Sequence, residues 1–456
     1  MRKRLLVSIC AWLLGCSTAQ TPPAASPGTS VAAAPPERCD WARGWAAGTL
    51  GGRGGRILRV TTLSASGPGS LAEALATPGP RIVVFEVGGV IDLELSTLKV
   101  REPFVTIAGQ TAPSPGITLI RGGLSVATHD VVIQHLRVRP GSAGQARGWQ
   151  PDGISSSSGT YNFVVDHCSL SWAVDENLSA SGSRFKGSTP DEWRQNTSHQ
   201  VTFSHNLVAE GLAHATHEKG EHSKGSLIHD NVTGVLLFAN LYASNTERNP
   251  FFKGGARGVV ANNFIVNPGK YAMKYTLVPD EWNGHTYESG QMVVVGNVFK
   301  HGPSTPPETP LLFSSGAGSC DVFLKDNVAL DRNGKPVAEL GGVVENLHRQ
   351  QEPPLWPPGF EAAPSSGLIA QLAREVGARP WERDAVDTRI VEQALAGTSR
   401  IIDSESEVGG YPAHPKTSAP FEPEAWDMTC VVERGAKGAR GQGGQGGQGG
   451  EREKAL

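Results

Sequence analysis

The run VTFSHNLV at 201–208 is a short β-rich segment that breaks at a polar pair and then turns apolar again. The same outline returns as VVIQHLRV (131–138), FVVDHCSL (163–170), VLLFANLY (235–242), VVANNFIV (259–266), VVVGNVFK (293–300) and VFLKDNVA (322–329). With His135, His167, Asn206, Asn240, Asn263, Asn297 and Asn327 as markers, the spacings are 32, 39, 34, 23, 34 and 30 residues. A solenoid tolerates such unequal periods, because each coil touches only its neighbours and surplus residues bulge out as loops. Asn suits a coil corner: it accepts left-handed backbone, and stacked amides can bond into a ladder. The competing reading is a β-sandwich with Asn turns. It fits poorly with the scarcity of two-residue hairpin signals and the Gly within the runs. The expected class is therefore all-β, a parallel β-helix.

Around this repeat the chain has recognisable ends. Ser70 followed by Glu73 is the signature of a helix N-cap, so 70–75 predicts a short helix covering the open end of the core. Helical spacing over 366–398 predicts a helical extension packed on the solenoid. Arg2, Lys3 and Arg4 precede an apolar run from Leu5 to Leu14, then Gly15 and Cys16. That is a targeting segment, too short to span a membrane. Leu13-Leu14-Gly15-Cys16 resembles a bacterial lipobox, which would anchor the chain by lipid at Cys16 outside the cytoplasm; plain secretion with cleavage near Ala19 is the alternative. The expected division is a targeting segment at 1–15, an Ala/Pro/Ser-rich tether at 16–37, a β-helix domain at 38–433 and a Gly/Gln-rich tail at 434–456.

Formal charge is −3, becoming about −6 once the three leader cations are lost, so nothing suggests a nucleic-acid partner. Besides Cys16, the cysteines of the exported part are Cys39, Cys168, Cys320 and Cys430. Three pairings are open to them, one of which, Cys39 with Cys430, would staple the ends of the folded region. Cys168, inside an apolar run, reads as a small buried hydrophobe.

A family resemblance rests on pieces in order: Gly51-Gly52-Arg53-Gly54-Gly55, Gly67-Pro68-Gly69-Ser70-Leu71, Arg81-Ile82-Val83-Val84-Phe85, Val165-Asp166-His167, Arg248-Asn249-Pro250 and Glu407-Val408-Gly409-Gly410-Tyr411-Pro412. Over roughly 45–412 the chain resembles the family 1 pectate lyases. The resemblance implies a right-handed parallel β-helix and β-elimination of an anionic polysaccharide, polygalacturonate, by a monomer using Ca²⁺. Arg248-Asn249-Pro250-Phe251-Phe252-Lys253 is similar to the family's Arg-x-Pro-x-x-Arg signature, which implies Arg248 as catalytic residue. Lys253 stands where the family has a second Arg; it keeps the charge and loses the bidentate fork. Asp152, Asp175 and Glu176 sit where the family places calcium-binding carboxylates. Lys224 or Lys219 falls where it carries a substrate-binding lysine, Lys224 preferred because it leads into a coil. Asp166 reads as framework.

The chemistry is consistent with these residue types. A proton α to a carboxylate is weakly acidic, so the developing charge must be neutralised by a cation or basic groups, and Ca²⁺ accepts many oxygen ligands in flexible geometry. His214, His217 and His222 have zinc-compatible chemistry without a closed ligand set; exposed loop polarity is the plainer reading. For Arg248 the plain alternative is an ion pair with Glu247. Other functions carried forward are a pectin lyase, a galacturonan hydrolase built on paired carboxylates, and a non-catalytic carbohydrate-binding β-helix.

Overall fold

A computed structural model describes residues 39–434 except residue 158. The targeting segment, the tether with Cys16 and the tail from 435 lie outside the described residues. Three long sheets of eleven, nine and ten strands run side by side, and the chain visits each in turn before starting the next coil. Neighbouring coils pair in parallel, for instance Phe163 with Val201, Val201 with Val235 and Val235 with Gly258. This is a parallel β-helix.

Continuous apolar runs are what such a fold requires. In VLLF, Val235 and Leu237 point into the solenoid core with Val165, Phe203, Val260 and Val294. The alternate Leu236, with Val259 and Val293, points outward beneath Leu368, Leu372, Ile390 and Val391 of the C-terminal helices Leu368–Glu375 and Ala385–Ala396. Both faces are therefore dry, and period-two polarity disappears. Arg139 fastens this extension through Asp384 (2.7 Å) and Asp387 (2.8 Å), the three side chains all buried. At the other end, Leu71–Ala76 is the capping helix, with Ser70 accepting the Glu73 N–H at 3.2 Å. Its Leu71 and Leu75 close the core beside Val60 and Val83. Cys39 and Cys430 form a disulfide joining the ends of the described chain, while Cys168 and Cys320 are buried free thiols.

The ladder is present, with one correction. Asn206, Asn240, Asn263, Asn297 and Asn327 bond amide to amide at 2.9–3.0 Å, and Asn206 also takes the Cys168 N–H at 2.8 Å. His135 and His167 belong to the adjacent column. Register sets Asp166 opposite Gln134 and Ser204, so His135 stacks on His167 and His167 on His205, with ring centroids 5.0 and 4.5 Å apart. The repeat from His167 is thus 38 residues, because its equivalent is His205 and not Asn206. Asp166 is framework: buried, it accepts bonds from Ser204, His167 and His205.

Candidate functional site

Ile154 pairs with Leu178 and Glu176 with Lys224, so lateral stacking sets Asp152, Glu176 and Lys224 on three successive coils at one height. Asp152 accepts the Glu176 backbone N–H at 3.1 Å. One oxygen from each of Asp152, Asp175 and Glu176 lies within 4.8 Å of the others. Burial, and then the charge of Asp175, pushes the Asp152 carboxyl up to about 7. Burial would raise Asp175 too, but the bond from His222 and the charges of His222, Arg248 and His217 hold it below the usual range.

Arg248 reaches this cluster through a backbone irregularity. Lys224 bridges to Glu247, yet Leu227 pairs with Phe251, so the Arg248 coil spends one more residue over the same stretch. Such a bulge re-aims a side chain. Arg248 takes φ +67°, ion-pairs with Glu176, and lies with its guanidinium carbon 5.5 Å from the Phe251 ring centre. It does not pair with Glu247, whose carboxylate is taken by Lys224. The Arg248 Nε is buried with no hydrogen-bond partner among the described residues. Burial lowers its pKa, against the opposing pull of Asp175, Asp152 and Glu281.

Beneath the bulge runs a second amide ladder that the sequence reading missed. Asn177 donates to Asn245 at 3.1 Å and Asn245 to Asn249 at 3.0 Å. It ties the neighbours of Glu176 and Arg248 together from the inside. The only signal for it was Asn177 directly after Glu176 and Asn249 directly after Arg248, with Asn245 four residues before Asn249.

The lysines separate clearly. Lys224 is buried at the cluster and bonded to Glu247, with Lys274 Nζ 4.0 Å from that carboxylate. Lys219 is exposed, its N–H bonded to the His217 ring. Lys253 is paired with Glu281 and with Asp230 (3.3 Å). The histidines correct the loop reading in part. His214 is exposed and faces Asp403, but His217 and His222 are buried with Nε2 at 3.6 and 3.2 Å from Asp175. Their rings stack in nearly parallel planes, and with Asp175 they bring one ligand-capable atom each within 4.8 Å of the others, a second group beside the three carboxylates.

Three crowded carboxylates, one raised by burial and then by its neighbour, suit a divalent oxygen-seeking cation. A guanidinium held against them suits work on an anionic substrate.

No family model matches the chain. A probable pectate lyase C of Emericella nidulans is 32% identical over 383 residues, spanning 81% of this chain and 79% of the relative. The chain belongs to the pectate lyase family. It is thereby a polysaccharide lyase. A probable pectate lyase C of Aspergillus terreus is likewise 32% identical over 381 residues, covering 80% of its length. Among solved structures, the cedar-pollen allergen jun a 1 matches with a TM-score of 0.51 at 18% identity, over 73% of this chain and 92% of the allergen. At that identity the likeness speaks for the pectate lyase fold alone. No helix among the described residues is long and apolar enough to cross a membrane.

Proposed function

We propose that the chain cleaves (1,4)-linked galacturonan by β-elimination, with Ca²⁺ held by Asp152, Asp175 and Glu176 and with Arg248 at the reacting carbon. The observation that carries this reading is the bulge that delivers Arg248 into a carboxylate cluster. The C5 proton leaves, its electron pair forms the C4–C5 double bond, and the C4–O4 bond breaks. The departing O4 then takes a proton from solvent. Arg248, having first given its own proton to solvent, receives the C5 proton; burial lowers its pKa, the direction a base needs. When bound, the cation supplies positive charge that offsets these carboxylates and the substrate's own. Lys224 exchanges Glu247 for a substrate carboxylate and orients the ring. Lys219 is exposed on the loop beside His217, and in this scheme the buried Lys224 takes the substrate carboxylate in its place.

Export is supported by the Arg2–Cys16 segment alone. The mass of the mature N-terminus distinguishes a lipidated Cys16 from cleavage near Ala19.

The activity test follows the ultraviolet absorbance of the unsaturated uronate on polygalacturonate, with calcium and with a chelator. Absorbance that rises with calcium and stops on chelation is the expected result. Reducing ends released without that absorbance would mean hydrolysis. Binding without cleavage would mean a carbohydrate-binding β-helix.

A further inference from the structure

Two groups of charges flank Arg248, and they are balanced differently. At the start of the strands, Lys224 and Lys274 share the single carboxylate of Glu247, and Lys270 adds its charge to the same field. Three cations there face one anion. At the end of the strand Phe251–Lys253, Lys253 and Arg184 face Asp230 and Glu281, two cations against two anions. The second group is closed as well as neutral. Arg184 bonds Asp230 at 2.9 Å and Glu281 at 2.8 Å, and Trp282 bonds Asp230 at 2.9 Å.

Asp230 is fully buried and acts as the floor of this cluster, whereas the Glu281 side chain is 36% exposed and forms its rim. Glu281 sits on the short helix Pro279–Trp282, anchored by the buried Trp282. A cleft of 460 Å³ lined by Arg184, Phe185, Lys186, Glu281 and Asn283 opens at the same place. The exposed Lys186 also lines the cleft, but at Lys253 itself a substrate carboxylate meets a lysine already paired and a carboxylate of its own sign. Like charges brought together across a contact disfavour binding. An uncharged ester meets neither penalty.

We propose that Glu281 sets the ester preference of this site: the Lys253 side accepts a methyl-esterified uronate, and the Lys224–Lys270–Lys274 side takes a free carboxylate. This inference rests on the elimination activity proposed above. Substrate with mixed esterification is then the natural polymer for the cleft, and fully de-esterified chain binds less well.

The experiment measures kcat and KM for elimination on polygalacturonate and on partially methyl-esterified pectin, in the full chain and in Glu281→Gln. The wild type is expected to have the lower KM on partially esterified pectin. Glu281→Gln should lower KM on polygalacturonate about 2- to 5-fold with kcat little changed, the size expected of one partly exposed charge pair. The gain should shrink with added salt and vanish in Glu281→Gln combined with Lys253→Met. Glu281→Ala provides a second route to the same readout should the glutamine variant fold poorly. No unsaturated product from either polymer in the wild type would overturn the activity and the inference with it. An active wild type whose ratio of KM values is unmoved by both Glu281 variants would overturn the inference alone.

Discussion

Two corners of the same solenoid are built from the same repeat and do opposite things. At the Asn206–Asn327 corner each coil contributes one neutral amide, and each amide both donates to and accepts from its neighbours. At the Asp152–Arg248 corner successive coils contribute carboxylates and cations, and one coil breaks register to do so. The first corner is satisfied and therefore stabilises. In the second, an Asp is raised to about 7 and an arginine nitrogen is buried without a partner among the described residues. Buried polar groups left unmatched cost stability and persist where chemistry needs them.

The comparison predicts that damage at the two corners will separate cleanly. Arg248→Ala should lower kcat on polygalacturonate by about a thousandfold, within the range a positioned general base contributes. Its circular dichroism should keep the β-helix signal; an unfolded spectrum would mean the residue is structural. Asn240→Ala should do the reverse. It strips partners from the Asn206 backbone N–H, the Phe203 carbonyl and the Asn263 amide oxygen. Unfolding free energy should fall by about 3 kcal/mol, read by denaturant titration, with the rate per folded molecule unchanged.

A smaller effect comes from the histidine column beside the ladder. Burial, followed by the charge of His167, pushes His135 down to about 3. Its folded pKa lies below its unfolded value near 6.5, so it contributes stability above that value and loses it as pH falls toward 3. Between pH 7 and 5 the loss from His135 alone should be about 2 kcal/mol. His205 is shifted the same way, burial being the main cause. Melting curves across that range check it, and a melting temperature flat from pH 7 to 5 would refute it.

How much was legible follows from how local each signal was. The coil repeat showed because its apolar runs are contiguous, and Asp152, Asp175, Glu176 and Arg248 stood out as motif residues within single coils. The one-residue offset between the His and Asn columns was not visible, since a repeat counted by eye cannot see which neighbours pair. The state of Lys253 was hidden for a stronger reason. Its partners, Asp230 and Glu281, lie on the preceding coil and on a short helix 28 residues later. Asp175 likewise owes its low pKa to His217 and His222, which reach it from a loop more than forty residues on.

By itself the sequence determined the solenoid, its capping helix and the chemical types gathered along one side. Apolar period, cap residues and motif order are properties of neighbours in the chain. Tertiary structure alone decided which charges cancel: Arg248 with Glu176, Lys224 with Glu247, Lys253 with Asp230 and Glu281. Coulomb energy depends on distance in space and on local burial, and in a β-helix the nearest residue in space is usually one whole coil away in the chain.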